Sequence, residues 1–443
     1  MKVLFIIPEY YPHSGGGIST YYINYISALK PYCETVKVIV GSGYFSRDDN
    51  FNLDGIEVEY LKPAIYRSYI GKFSRFDLAL ELKQNLAAAW AMYEQANRGE
   101  GFDVVECTEF GFGFIPWVVN HNKPVITRLH GSSGQIAFYE TNKTTNILTD
   151  FTRQVELLLL PRCDKLITYS DANQQFWKNR LVGADVTMIS PVFGTNILSP
   201  LSFAQREDFG LVTARIQQWK GPVELCGALS KLPANERPMV KWFGRDMPYS
   251  DTESTAQLLE RSFPGVWGVN VLPQKPVDNA EVIKLQQRAK FGLVPSTWDM
   301  FNFTLTEFLA AGTPVICADG AGASCLIEHG LNGLKYPSAD KNALAECIRQ
   351  LNKMDEKVYM QMAAAGLETV RQELSDDKII PQNLQAYESV VKHFKAGNAD
   401  EYIAGVFKPD EKSYTIDSVL DKQPLKLLMQ YSLKRLKAKL WKR

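Results

Sequence analysis

The chain has 443 residues, 45% of them apolar and 22% charged, with 49 basic and 49 acidic side chains. That length exceeds one ordinary core and predicts two domains, while zero net charge leaves the whole molecule without a nucleic-acid footprint. No run of about 18 uninterrupted apolar residues is present, so no membrane span is predicted.

The N-terminal "MKVLFIIPEYYP" contains an apolar run that reads as a strand covered on both faces. Pro8-Glu9-Tyr10 interrupts it too early for a secretory leader. The glycine-rich turn "HSGGG" follows. Then "ISTYYINYISALK" sets Ile18, Tyr21, Tyr22, Tyr25, Ile26 and Leu29 on one helical face. Further strands are predicted at "TVKVIVGSG", "DVVEC", "PVITRLHG" and "KLITYS", with "FDLALELKQNLAAAWAMYEQA" as a helix between them. This alternation predicts a parallel, doubly wound sheet. It restarts after a connection near 191–207. "FGLVTARI", "PMVKWFG", "VWGVNVLP", "FGLVPS" and "PVICADG" read as strands, and "GPVELCGALSKL", "NAEVIKLQQRA" and "LTEFLAAG" as helices. "IPQNLQAYESVVKHFK" reads as a last long helix before a tail from about 397. The seven cysteines are odd in number and hold no C-x-x-C pair. That speaks against a disulfide framework or a zinc site and fits a reducing cytosol.

Ligands of open α/β sheets bind at the carboxyl ends of strands, and four stretches fall at such ends. In "PEYYPHSGGGIST", glycines before a helix let backbone N–H groups approach an anion at the positive end of the helix dipole. Their spacing is not that of a dinucleotide-binding oxidoreductase. In "TRLHGSSG", His130 stands beside a glycine, a position a structural histidine also occupies. In "TARIQQWKG", Arg215 and Lys220 can clamp a diphosphate, Arg through its fork and Lys as a point charge; the plainer reading is a solvated turn. In "STWDMFNFTLTEFLAAGTPVICADG", Asp299 lies in a loop and Glu307 in the first turns of a helix, with Leu305, Phe308 and Leu309 turned inward. A carboxylate at a helix start commonly stabilises that end, which accounts for Glu307 better than for Asp299. "RDDN" and "SDDK" read as solvated turns, and no D-x-D metal motif is found.

Together these stretches resemble the retaining GT-B glycosyltransferases of family 4. The E-x7-E signature of that family is matched by Asp299 to Glu307, followed by "FLAAGTPVI". The glycine loop, "RLHG", Arg215 with Lys220-Gly221, and "EHGLNGLKYP" extend the likeness over roughly residues 1–395, with 295–316 as its specific block. The resemblance implies two Rossmann-like doubly wound domains facing across a cleft. Residues 1–195 would be the acceptor-side domain and 196–380 the nucleotide-sugar domain. A helix at 381–396 would return to the first domain, and 397–443 would be a tail. It also implies that Glu307 binds the ribose hydroxyls and Asp299 faces the donor sugar. Arg215 and Lys220 would hold the diphosphate above the backbone of Gly16 and Gly17, and the backbone at Phe301, Asn302 and Phe303 would approach the phosphates. His130 would touch the donor sugar. Three departures stand out: Asp in place of the first Glu, Asn302 where many members carry glycine, and Cys325 at an expected acid position.

The activity so implied is transfer of a sugar, with retention, from a nucleoside diphosphate sugar to a hydroxyl of a glycan or lipid-linked acceptor in cell-surface polysaccharide synthesis. The nucleotide sugar is a substrate, and neither a cofactor nor a metal is expected. A non-catalytic homologue that binds nucleotide sugar or scaffolds an assembly is the alternative. A sugar-nucleotide epimerase and a dehydrogenase are further readings, the last requiring a pyridine nucleotide.

The tail "PLKLLMQYSLKRLKAKLWKR" adds a separate expectation. From Lys422 to Arg443 there are eight basic side chains and no acidic one, which leaves the body with 41 basic against 49 acidic residues, a net −8. Leu425, Leu428, Met429, Leu433, Leu436 and Leu440 recur at helical spacing with lysines and Arg435 around them, and Trp441 near the end. Such a helix is suited to an anionic membrane surface. It predicts a cytoplasmic enzyme held peripherally at the inner face of the cytoplasmic membrane; packing on the acidic body or on a partner chain is the alternative.

Overall fold

A computed structural model describes residues 1–13, 16–139, 147–193, 197–250, 252–397, 399–410 and 420–440. Ser14 and Gly15 of the glycine turn, the expected boundary at 195/196, and Trp441 to Arg443 lie outside them. By contact density the chain divides into two units. One comprises Met1–Glu9, Glu34–Val125 and Phe394–Arg443, the other Tyr10–Cys33 and Ile126–His393.

The first unit holds five strands, β1 (Lys2–Ile7), β2 (Thr35–Val40), β3 (Asn50–Leu53), β4 (Ile56–Tyr60) and β5 (Val104–Thr108). They lie in the order β3-β4-β2-β1-β5. All pairings are parallel except β3 with β4. Val3, Leu4, Phe5 and Ile6 of β1 are fully buried, as a strand paired on both edges and covered on both faces requires. The β3–β4 hairpin was not foreseen. Its strands alternate apolar and polar, with Phe51, Leu53, Ile56, Val58 and Tyr60 on one face and Asn50, Asn52, Glu57 and Glu59 on the other, and Asp54-Gly55 turns it with positive φ at both residues.

The second unit contains two runs of parallel strands. The shorter is β6 (Val125–Arg128, whose first residue closes the first unit), β7 (Lys165–Thr168) and β8 (Val186–Met188), in that order. The longer comprises β9 (Glu207–Thr213), β10 (Val240–Phe243), β11 (Val271–Gln274), β12 (Ala289–Val294), β13 (Val315–Ala318) and β14 (Leu334–Tyr336). Its order is β11-β10-β9-β12-β13-β14, all parallel. Phe291, Leu293, Trp242, Leu225 and Ile348 are among the side chains that bury its faces. "VWGVNVLP" is extended only at its end. Gly268 takes φ +78°, and Asn270 and Val271 both donate to the Val266 carbonyl, so the first half is a turn.

Counted from its own first strand, the longer sheet has the order 3-2-1-4-5-6. The direction of strand addition reverses between β9 and β12, and the crevice outside the carboxyl ends of those two strands is where such sheets bind ligands. Arg215 and Lys220 follow β9, and Asp299 and Glu307 follow β12. The helix Asp376–His393 also belongs to this unit. Asn383 receives the Arg128 guanidinium at 2.8 Å, and the hydroxyls of Tyr387 and Tyr25 lie 2.7 Å apart.

Candidate active site

After β9 the chain turns through Ile216 and Gln217 into a short 3-10 turn, Gln218–Lys220, that ends on Gly221. Gly221 has φ +76°, and a Cβ there would sit 1.8 Å from the Pro295 carbonyl oxygen. Only glycine lets this turn lie against the end of β12. The close approach brings Lys220 to Asp299, and the two side chains form an ion pair, each less than one-fifth exposed. Arg215 is exposed and has no side-chain partner among the described residues.

Asp299 is held from two sides. Its backbone N–H donates to the Gly320 carbonyl at 3.1 Å, and its own carbonyl accepts from Gly322 at 3.1 Å. Its Oδ2 accepts from Lys220 and, at 2.8 Å, from Asn302 Nδ2. Asn302 caps the helix Phe303–Ala310 that carries Glu307. Phe301 is buried among Tyr169 and Phe303, so its ring is core and only its backbone remains for a ligand. Phe303 in turn faces Phe193 at 6.4 Å between ring centres.

Glu307 points into a cavity of about 310 Å³, whose lining includes Thr20, Asn24, Phe193, Asn279 and Gln286. Gln286 Nε2 donates to Glu307 Oε2 at 2.8 Å. Burial pushes the carboxyl above its usual range, and the Gln286 bond opposes that in part. The helix end whose backbone starts at Gly17 also lies in this unit. Gly16 is its N-cap, no side chain caps it, and no acid stands in its first turn. A Cβ on Gly17 would meet nothing within 4 Å among the described residues. Protein packing therefore does not demand that glycine, and its open side is available to a ligand.

His130 follows β6. Its ring nitrogens lie 2.8 and 3.0 Å from the Tyr169 hydroxyl, and Tyr21 and Tyr22 stand about its ring at 5.1 and 5.3 Å. Desolvation, with the Arg128 charge second, lowers its pKa well below the ordinary value, so the imidazole is neutral at physiological pH. Gly131, at φ +105°, places the following turn so that a Cβ would lie 3.2 Å from Met300 Cγ. The Met300 carbonyl accepts from Asn173 Nδ2 at 2.8 Å, and Tyr139 stacks on Trp298 with ring centres 4.4 Å apart. The turn after His130 thus lies close to Met300, and the helices that carry Tyr139 and Asn173 are tied to the loop of Asp299.

The structure therefore joins Lys220 to Asp299 directly and sets Asn302 between Asp299 and the Glu307 helix. Arg215 stands apart in solvent. Gln286, Tyr169 and Asn173 escaped the sequence reading. Tyr169 ends a predicted strand and was open to notice, but Gln286 and Asn173 are single amides on helices with no motif around them. Among the described residues, no three His, Cys, Asp or Glu side chains cluster as metal ligands would.

Residues 196–368 match the family described as glycosyl transferases, group 1. Among curated proteins, the D-inositol 3-phosphate glycosyltransferase of Jonesia denitrificans is 30% identical over 139 residues, 31% of this chain and 33% of that protein. The protein of the same name from Nocardioides sp. is 27% identical over 199 residues, 43% of each. The chain thus aligns with less than half the length of these relatives. Among solved structures, sucrose-phosphate synthase from Thermosynechococcus elongatus superposes over 88% of this chain and all of its own, with TM-score 0.67 at 17% identity. Anabaena HepE, solved in complex with UDP and glucose, does so over 88% and 100%, with TM-score 0.62 at 18% identity. These likenesses establish the fold: two α/β domains with Rossmann-like parallel-sheet cores, the GT-B architecture, with a helical tail after them.

Proposed function

We propose that this GT-B chain is a retaining glycosyltransferase of the family 4 kind, moving a sugar from a nucleoside diphosphate sugar to a hydroxyl of a glycan or lipid-linked acceptor. The observation that carries the reading is the meeting of Lys220 and Asp299 at the switch point of the second sheet, with Glu307 in its own cavity eight residues on. In this reading the cavity takes the nucleoside, with Glu307 on the ribose hydroxyls. The diphosphate lies by Lys220 and Arg215, over the uncapped helix start at Gly17. Asp299 and His130 face the sugar, the neutral imidazole as a hydrogen-bonding group rather than a cation.

Cleavage of the bond between the anomeric carbon and the phosphate oxygen builds negative charge on the leaving diphosphate. Lys220, Arg215 and helix N-termini stabilise that charge more in the transition state than in the ground state. The acceptor oxygen attacks the anomeric carbon from the same face, and the departing phosphate oxygen takes its proton. No enzyme nucleophile is needed. The two cations supply what a metal would, so the reading includes metal independence. The tail helix completes it, with the enzyme peripheral to an anionic cytoplasmic membrane surface that presents a lipid-linked acceptor.

The test is a panel of nucleoside diphosphate sugars screened by thermal shift, since a specific ligand stabilises by RT ln(1 + [L]/Kd). One donor should raise Tm and be consumed, slowly by hydrolysis and faster with acceptor. Glu307→Ala should abolish both effects, and excess EDTA should leave turnover intact. Binding of a donor without any consumption would favour the non-catalytic alternative. Full loss in EDTA with recovery in magnesium would overturn metal independence.

A further inference from the structure

We propose that Asn302 is the positioning residue that fixes which oxygen of Asp299 a donor meets, an inference that rests on the proposed transferase reading. Asn302 adopts φ 85° and ψ 85°, a left-handed conformation that asparagine tolerates and most residues do not. In that conformation its side chain serves two elements at once. Oδ1 accepts from the Leu305 N–H at 3.3 Å and caps the Glu307 helix. Nδ2 donates to Asp299 Oδ2 at 2.8 Å and to Ser296 Oγ at 3.3 Å.

The consequence falls on Asp299. Its Oδ2 is shared by Lys220 and Asn302, while its Oδ1 has no partner among the described residues. One oxygen is occupied by the protein and the other is left for a ligand. Lys220 alone would not impose this arrangement, because a point charge on a flexible stem pairs with either oxygen. The planar amide of Asn302, whose rotation is stopped by the cap it makes with Leu305, sets the carboxylate plane. Glycine at this position would serve the backbone equally well and leave the carboxylate free to turn. Asn302 therefore acts through Asp299 and Lys220, and its side chain need not contact the donor.

Two substitutions separate positioning from capping. Asn302→Gly keeps the backbone conformation and removes all three side-chain bonds. Asn302→Asp keeps the cap acceptor and removes the donor to Asp299. With a donor selected from the panel, positioning predicts a fall in kcat of about tenfold or more in both variants, because the interaction acts on the reacting sugar. Affinity for the matching free nucleoside diphosphate should stay within about threefold. Normal kcat in Asn302→Asp would show that only the cap matters and would overturn the proposal. So would a loss in Asn302→Gly that lies wholly in nucleotide affinity. A second measurement needs no donor: acylation of Lys220 by acetic anhydride, followed by mass spectrometry. In wild type the carboxylate fixed by Asn302 should keep the ion pair closed and protect Lys220; a carboxylate free to turn in Asn302→Gly should let the pair open more often and raise the Lys220 labelling rate several-fold. An unchanged rate would sink the proposal. Failure of every panel member to bind would instead remove the transferase reading while leaving the labelling result to decide the role of Asn302.

Discussion

Lys220 and Arg215 are both cations beyond β9, yet the structure gives them different surroundings. Lys220 is paired with Asp299 and mostly covered, whereas Arg215 is exposed. On the proposed reading, replacing either by alanine should lower turnover by about 10²-fold, because each would then stabilise the leaving diphosphate. Their stabilities should differ. Lys220→Ala leaves a half-buried carboxylate without its counter-charge and should lower Tm, while Arg215→Ala should leave it unchanged. Near-normal turnover in either variant would mean that the diphosphate lies elsewhere. Glu307 gives a prediction with a sign. Its folded pKa is raised by burial, so the fold favours the protonated form. The ionised carboxylate then costs stability that grows as pH rises above the ordinary value near 4.5. In the ligand-free protein, Glu307→Gln should match wild type in acid and melt higher than wild type at pH 7.5, while donor affinity falls. A variant that melts lower at pH 7.5 than at acid pH, relative to wild type, would contradict this assignment.

At the scale of elements, two glycines at helix starts have opposite reasons for being glycine. Gly221 begins the helix Pro222–Lys231 with φ +76° and lies against the Pro295 carbonyl. Its replacement by alanine combines backbone strain with a clash and should cost about 3 kcal/mol or more, read as a large drop in Tm. Gly17 has open space where its Cβ would be and a φ that suits any residue. Gly17→Ala should therefore leave the melting curve in place, or raise it slightly through helix propensity, by at most ~1 kcal/mol. On the proposed reading turnover should nonetheless fall at least tenfold, since the methyl group would then occupy the path of the diphosphate to the helix N-terminus. Full activity in Gly17→Ala would show that no phosphate approaches that backbone.

At the scale of the whole molecule, the tail is the part the fold leaves uncovered. Its helix runs Leu425–Leu440. Leu425, Met429, Leu433, Leu436 and Leu440 are each more than half exposed, and Leu428 is half-buried. At 100° per residue these six share one arc, flanked by Lys426 and Lys437 on one side and Arg435 on the other, with Lys439 inside it between Leu428 and Leu425. Leu427 and Tyr431 add a second, smaller exposed ridge on the far side. Trp441 lies outside the described residues. No described helix is long and apolar enough to cross a membrane, so contact would be interfacial, with each basic residue adding about 1 kcal/mol near an anionic surface. The full chain should co-sediment with phosphatidylserine vesicles and not with neutral ones, release in salt, and lose binding when ended at Asp421. Equal binding by both forms, or concentration-dependent self-association in place of lipid binding, would reject this.

Much of this was legible in the sequence alone. The alternation of apolar runs and helical periodicities determined the α/β class, the parallel strands and the restart after residue 200, because periodicity is a local property of the chain. Strand ends could be read off directly, so His130, Arg215, Lys220, Asp299 and Glu307 stood out as residues beyond β6, β9 and β12. The basic stripe of the tail was visible for the same reason. Tertiary structure alone decided which of these meet. Lys220 and Asp299 are 79 residues apart and touch only because β9 and β12 are sheet neighbours and Gly221 admits the Pro295 carbonyl. The Gln286 bond to Glu307, the Tyr169 bond to His130 and the two-sided use of Asn302 arise from helix placement and one left-handed residue. Strand order and backbone handedness at a single position leave no periodic trace in a sequence, and they set the geometry in which these side chains act.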